Sequence, residues 1–552
     1  MNEPIIETTS PAENARSQVE NARELSSLRW YIFVLLISCS LLTMVARLMT
    51  VEGESYGRSV PYFSANDRSR WVTIRALGDH NTFALDGVLQ AENGRNWDSI
   101  DKVMHLGRDG QPHFYSSKPP MLSWLLAYQY VALKQLTGRN LTEDTFFIVR
   151  CMLLLSQVIP ITIFFCLMAS LADKLAKSEW TKLVVVATAT YGTFLTTFAI
   201  TLTNHVFAAV AAGFAIWSIV MIWNQKRLGL GYFFVTGLCA SFAAACDLPA
   251  TALLALCLVI CLLKSPMKTL VGFVPPVLLV TAAFFASNYI AHQTWTPAYS
   301  HRNDGPVIFE IEGEFAEALD QGEIPLEIKK AIANNAHALR ANLHEDVLVT
   351  KGKWPIGPDM QRWLVENRDL TARVVIGKHK SSPTYTLHRW SNWYEYPGSY
   401  WTTDNANKAW VDQGTPSTSE YAIHFLIGHH GVFSLSPIWI WALPGMFFMA
   451  LSKQYRLRLL GWGILLITVV VIGFYLTRPE LERAYGGMTS GPRWLFWLIP
   501  LWLVAMIPCL DRISTWGGMK VVTVIALFIS AAAAAYSWSN PWVHPWIYTF
   551  IF

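Results

Sequence analysis

Three short stretches of this chain carry residue types suited to chemistry at a boundary between water and an apolar wall. The first runs from Ser64 to Gly78 and holds Asn66-Asp67-Arg68-Ser69-Arg70-Trp71. A carboxylate such as Asp67, placed beside a low-dielectric surface, can be tuned to take a proton from a hydroxyl. Aspartate is equally a favoured helix N-cap, and Gly78 a favoured stop. The stretch therefore also reads as a short amphipathic helix lying on a membrane surface, with Trp71, Ile74 and Leu77 opposed to Arg68, Arg70 and Arg75.

The second stretch sets Lys118 directly before Pro119 and Pro120 at the mouth of an apolar segment. Proline in a first helical turn stiffens the entry and fixes where the ammonium points, although an interfacial lysine can also simply reach the headgroups. The third, Gly486 to Trp494, joins glycines, whose bare backbone lets a ligand approach closely, to Arg493 at the start of the next apolar run, where a phosphate can dock. Around these stand His205, His301, His388, His424 and the pair His429 and His430. Asp304 and Glu395 read as solvated as readily as functional. Asp247, between two apolar runs, is expected at the outer surface. Asp98 and Asp101 form no metal motif, and no cofactor follows from the residues, with a divalent cation left open.

The elements that must position these residues are apolar and long. Runs able to cross roughly 30 Å of hydrocarbon recur at Trp30 to Leu48, near 119–137, 145–171, 182–202, 205–224, 229–246, 248–263 and 269–288, then near 432–451, 458–476, 493–509 and 520–537. The expectation is a polytopic, all-α membrane protein of about 11–13 transmembrane helices with an extracytoplasmic α/β or irregular domain. Its segments are 1–28 (cytoplasmic tail), 29–49 (first transmembrane helix), 50–118 (outer loop with surface helices), 119–288 (helical block), 289–430 (outer domain) and 431–552 (final helices).

Short basic loops at 224–227, 264–268 and 452–458 read as cytoplasmic, which sends 50–118 and 289–430 to the opposite face. Between residues 118 and 225 the crossings come out even where this orientation needs an odd number. Either 119–137 dips without crossing or one boundary is displaced. Phe315 to Leu319 and Ile328 to Leu343 read as helical, and 383–412 as an irregular or short-stranded cap.

Composition supports the membrane class. Hydrophobic residues make up 53% and charged residues 15% of 552, with 24 Trp, 20 Tyr and 29 Phe, and mean hydropathy is +0.30. Few soluble domains hide so much apolar surface behind so little charge. Disorder, a collagen-like fibre and a disulfide scaffold are excluded, and a net charge of +4 argues against nucleic acid. The eight cysteines fall in apolar runs without Cys-x-x-Cys spacing and read as buried thiols. Met1 to Leu28 is polar and does not read as a secretory signal.

On these motifs the chain resembles the GT-C glycosyltransferases, in particular the protein mannosyltransferase and aminoarabinose transferase (GT39/GT83-like) branch. Asn66 to Trp71 with Asp79 is similar to that branch's Asp-Glu-x-Arg-Tyr segment and later Gly-Asp. Asp67 falls on its leading Asp, Arg70 on its Arg and Trp71 on its Tyr, while Arg68 replaces the acidic neighbour. Phe114 to Trp124 is similar to its Lys-Pro-Pro-Leu-x-x-Trp, and Gly486 to Trp494 to a Gly-Pro-Arg-Tyr-Leu motif of related bacterial membrane proteins.

The resemblance implies transfer of a sugar from a polyprenyl-phosphate donor to a lipid, glycan or protein acceptor, with inversion, on the periplasmic face of the inner membrane. It implies Asp67 as base and Lys118, Arg493 and Arg70 as phosphate-binding cations. Tyr115, Trp71, His205, His429 and Trp393 are expected to line the substrate, and membrane lipids to surround the helices. Two alternatives stay open: a lipid or solute transporter or flippase, and a GT-C-fold protein whose site has decayed. The absence of an internal repeat and of many midplane charges speaks against the transporter.

Overall fold

The computed structural model describes residues 11–223, 226–352, 360–401 and 415–551. The first ten residues of the tail, Asn224 and Gln225 of one basic loop, and the 402–412 part of the aromatic cap lie outside the described residues. The chain divides into two units. One comprises residues 1–52, 153–280 and 410–552, the other residues 53–152 and 281–409.

Among the described residues seven helices are long and apolar enough to cross a membrane, against the 11–13 expected. They are Glu24–Thr50, Thr145–Leu175, Asn204–Trp223, Pro266–His292, Tyr455–Leu476, Arg493–Ile513 and Gly517–Tyr536. Three shorter apolar helices, Leu230–Cys246, Leu248–Lys264 and Pro437–Ala450, account for much of the difference. Another part comes from the run at 182–202, which is no single helix. Glu179–Tyr191 ends at Gly192, and only a 3-10 turn, Thr197–Ile200, follows. Pro120–Thr137 is a helix but not one of the seven.

In the helical unit the break after Tyr191 has an identifiable partner. Arg47, buried near the end of the first helix, donates from Nη1 to Thr196 O at 2.9 Å, from Nη2 to Thr197 O and Ser537 O, and from Nε to Trp538 O at 2.8 Å. One guanidinium thus satisfies carbonyls that apolar surroundings would leave orphaned. The helices Ala442–Ala450 and Ile499–Ile513 approach so closely at Gly445 that a Cβ there would lie 1.9 Å from Ala505 O. All eight cysteines are free. Cys246, Cys257, Cys261 and Cys509 are buried, but Cys39 and Cys166 face outward, because an apolar helix in a membrane need not bury its outer face.

The other unit mixes helices with sheet. Its five-stranded antiparallel sheet orders Val307–Glu312, Thr384–Arg389, Arg373–His379, Met360–Asn367 and Val347–Lys351 side by side. One face packs Trp363, Val365, Val374, Ile376, Tyr385 and Leu387 against Leu319, Ile328, Ile332 and Leu339. Those four come from the helices Ala316–Asp320, Leu326–Asn334 and Ala336–Leu339. The long helix expected to Leu343 is therefore cut at Asn335 and ends at Arg340, whose φ of 54° closes the turn.

The opposite face carries buried charge. Arg362 donates from Nε and Nη2 to Asp304 Oδ1 and from Nη1 and Nη2 to Glu395. Asp304 and Glu395, for which the sequence left solvation and function equally open, are held by one buried cation. A lone carboxylate there would lose its hydration without return.

Candidate functional site

The helix bearing Asp67 spans Ala65–His80 and starts one turn earlier than the sequence suggests. Ser64 is its N-cap: the Ser64 side chain accepts from Asp67 N–H at 3.1 Å. The helix passes Gly78 and stops at Asn81, in the left-handed region with φ 51°. Glycine at 78 serves close packing instead, since a Cβ there would lie 2.3 Å from the Tyr130 ring. Nor does this helix lie on a surface as an amphipathic ribbon. Asp67 and Ile74 are fully buried, and Arg70, Trp71 and Arg75 nearly so. Arg75 lies over the Trp97 ring, and Arg68 over Tyr62 while donating to Asp98 O.

With Ser64 at the N-cap, Asp67 falls inside the first turn, and its carboxylate accepts from the N–H of Phe63 at 3.2 Å. The neighbouring Tyr62 hydroxyl is pushed up by burial, partly offset by Arg68. Arg70, three residues on from Asp67 and so on the same helix face, donates to Asn66 O at 2.9 Å. Directly after Arg70, the Trp71 indole N–H is buried with no acceptor among the described residues. A buried donor left in this way normally finds a partner.

Lys118 is tied to the same helix through Asp101, which the sequence offered only as a rejected metal ligand. Its Nζ lies 2.9 Å from Asp101 Oδ2. Ser69, on the Asp67 helix, donates to Asp101 O at 2.6 Å and lies 2.7 Å from Ser116 Oγ, which in turn accepts from Lys118 N–H. Pro120 opens the helix that follows, as the two prolines suggest. Ser69 thus ties the helix that bears Asp67, Arg70 and Trp71 to Lys118 within one unit. Asp101 could not be picked out, because its role depends on a loop folding back across Ser69.

Tyr115 and Trp393 occur in this unit too, but as packed rings. Tyr115 stacks on His105 at 4.1 Å, His105 meets Trp393 at 4.2 Å, and Trp393 stacks on His301 at 3.7 Å. Burial lowers His105 and His301 to about 4, so both imidazoles are neutral near pH 7.

Arg493 belongs to the helical unit. Its Nε and Nη2 donate to Gly486 O, and its guanidinium lies 4.8 Å from the centre of the Trp542 ring. Gly486 has a φ of 99°, a conformation open to glycine and costly for other residues. Arg493 Nη1 lies 2.8 Å from His205 Nε2, and His205 Nδ1 lies 2.7 Å from Asp247 Oδ2. A guanidinium only donates, so Nε2 accepts and the ring proton sits on Nδ1, donated to the carboxylate. Asp247, between the helices Leu230–Cys246 and Thr251–Lys264, is a buried member of this chain.

His429 lies in the same unit, its Nδ1 facing that of His430 and its ring stacked 4.0 Å from His424. Burial first, then its histidine neighbours, bring it down to about 3. Next to it a cleft is lined by Phe425, His430, Tyr485, Pro492, Trp494 and Leu495. Among the described residues no group of three or more His, Cys, Asp or Glu is arranged to hold a metal ion. The divalent cation left open by the sequence has no ligand set there, and Arg68 occupies the place beside Asp67.

No protein-family model and no curated protein matches the chain. Among solved structures, the chain is similar to an oligosaccharyltransferase of Archaeoglobus fulgidus in its apo form, with a TM-score of 0.42 and 11% identity. It is also similar to the archaeal oligosaccharyltransferase AglB of that organism in complex with an inhibitory peptide and a dolichol-phosphate, with a TM-score of 0.41 and 10% identity. Each alignment covers 93% of this chain and 56% of the other, so the chain spans little more than half the length of these structures.

Proposed function

We propose that the chain is a multi-pass membrane glycosyltransferase that moves a sugar from a polyprenyl-phosphate donor to a hydroxyl-bearing lipid, glycan or protein acceptor. The observation that supports this reading is the tie between Lys118 and the helix bearing Asp67. A fully buried carboxylate on the helix Ala65–His80 and an ammonium far from it in sequence belong to one unit: Ser69 of that helix donates to Asp101 O, and Asp101 Oδ2 lies 2.9 Å from Lys118 Nζ. The motif resemblance of residues 66–71 and 114–124 supports the same assignment.

In this reading the acceptor oxygen attacks the anomeric carbon and its proton passes to Asp67. The bond from that carbon to the phosphate oxygen breaks, and the polyprenyl phosphate departs with the electron pair. A single displacement inverts the anomeric centre. Lys118 and Arg70 are the cations offered to the departing phosphate, where a partly dry setting enlarges their effect, and Arg493 of the helical unit is kept as a phosphate-binding cation. The Trp71 N–H is a donor for a sugar or acceptor oxygen. Tyr115 and Trp393 act through packing, and His205 through its hold on Arg493. His429 is kept as a substrate contact beside the cleft at Pro492. The basic loops support a site on the extracytoplasmic face of the inner membrane.

The test is Asp67→Asn in the full chain reconstituted into vesicles with a lipid-linked sugar and an acceptor. The amide keeps an acceptor for Phe63 N–H, so folding is expected to survive, while turnover falls by about 10²–10⁴-fold. Turnover at the wild-type rate overturns the assignment of the base. Translocation of the lipid-linked sugar without any transfer overturns the glycosyltransferase reading in favour of a transporter.

A further inference from the structure

At one end of the helical unit, three chain segments meet with cations alone. Residues 226–229, 264–268 and 452–458 contribute Lys226, Arg227, Lys264, Lys268, Lys453, Arg456 and Arg458, and contain no Asp or Glu. Two of these cations meet at Trp223. Lys264 Nζ lies 5.5 Å from the centre of the Trp223 ring, and Arg456 Nη1 donates to Trp223 O at 2.8 Å. Tyr455 packs against the same indole at 6.2 Å. Lys268 Nζ donates to Leu228 O at 2.6 Å, which brings a further ammonium to the rim.

Arg456 and Lys226 both act on Lys264 as repelling charges. Among the described residues, none of these cations has a carboxylate within ion-pair distance. Arg456 and Arg458 also sit in the first turn of Tyr455–Leu476, which has no acidic residue and whose dipole disfavours cations. Gathering like charges in this way is costly unless an anion shares the site. Leu263, Met267 and Leu451 stand exposed in the same segments or directly beside them, on helices that are apolar to their ends. A soluble anion has no use for such a rim, whereas an acyl chain does.

We propose that this end of the helical unit binds the phosphodiester headgroup of an anionic glycerophospholipid, with Lys264, Arg456 and Lys226 on the phosphate and Leu263, Met267 and Leu451 along the acyl chains. Basic pockets between membrane helices take anionic headgroups in this manner, each cation strengthening binding about fivefold near physiological ionic strength. None of these residues is among those assigned to sugar transfer, and either reading can fail alone.

The test uses the purified full chain in mixed micelles, with the thermal unfolding midpoint followed as phosphatidylglycerol replaces phosphatidylcholine. Phosphatidylglycerol is expected to raise the wild-type midpoint, and high salt to diminish the rise. Lys264→Gln with Arg456→Gln should weaken the apparent affinity for phosphatidylglycerol about 25-fold, while Lys264→Arg with Arg456→Lys retains it. Inorganic phosphate should leave the midpoint unchanged. If the double glutamine variant folds poorly in phosphatidylcholine, Lys226→Gln alone, at an exposed position, should still cost about fivefold. The proposal is overturned by an equal response to both lipids, by a full phosphatidylglycerol response in these variants, or by inorganic phosphate reproducing the shift.

Discussion

Replacing Asp247 by asparagine removes the only negative charge in the buried chain Asp247–His205–Arg493 while leaving its shape intact. The two hydrogen bonds and the imidazole between them hold the opposite charges about 7 Å apart, an attraction of about 2 kcal/mol at an effective dielectric constant of about 20. A hydrogen bond to a charged acceptor is worth about 1.5–3 kcal/mol, so its conversion to a neutral one costs on the same order. If the amide turns its NH₂ toward His205, the ring proton must move to Nε2, where it meets the donors of Arg493. The variant is therefore expected to unfold about 2 kcal/mol more easily in detergent and to lose the fixed direction of Arg493. In the lipid-linked sugar assay this appears as a raised KM for the donor with a smaller change in kcat, and Asp247→Glu recovers part of the loss. A variant that melts with the wild type and binds donor equally well would refute the electrostatic role given to this chain.

Three further outcomes follow from other parts of the structure. Arg362→Met leaves Asp304 and Glu395 buried without their cation and should destabilise the sheet-bearing unit by about 3–5 kcal/mol, read as early loss of its amide exchange protection. Gly445→Ala should cost at least about 1–3 kcal/mol, because the clashing atom is the backbone oxygen of Ala505, whereas Gly473→Ala, with open space around it, is tolerated in the same melting assay. His113 lies between Asp86 and Asp109. Burial lowers its pKa, but the hydrogen bond to Asp109 and the charge of Asp86 outweigh this and raise it. Its folded value exceeds its unfolded one, so its stabilising effect is full below about pH 6.5 and fades as pH rises through the raised value. His113→Asn should flatten that part of the stability–pH curve.

How far the sequence could be read depended on whether a residue's partners were local. The apolar runs at 30–48, 205–224, 458–476 and 520–537 were legible because hydropathy alone identifies a helix that satisfies its own backbone. The run at 182–202 misled, since its break is satisfied by Arg47 from another helix. The strand Met360–Asn367 was invisible for a related reason. It is buried on both faces, with Trp363 and Val365 in the apolar core and Arg362 and Glu366 in the ionic layer, so it shows no alternation of apolar with solvated residues. At the candidate site Asp67, Lys118, His205 and Arg493 were legible from residue type and setting. Asp101 and Asp247 were not, because each acquires its meaning only from a residue remote in sequence.

The Arg47 anchor bears on how the protein is made. Its guanidinium emerges with the first helix, yet two of its acceptors, Ser537 and Trp538, are translated last, the latter 491 residues downstream. At about 5–20 residues per second the ribosome needs about 25–100 s to reach them. Throughout that interval the first helix carries a cation that is only half satisfied, by Thr196 and Thr197 at best. Chains cut short before Ser537 would retain this defect, so the turn that follows Gly517–Tyr536 works as a latch on the first helix.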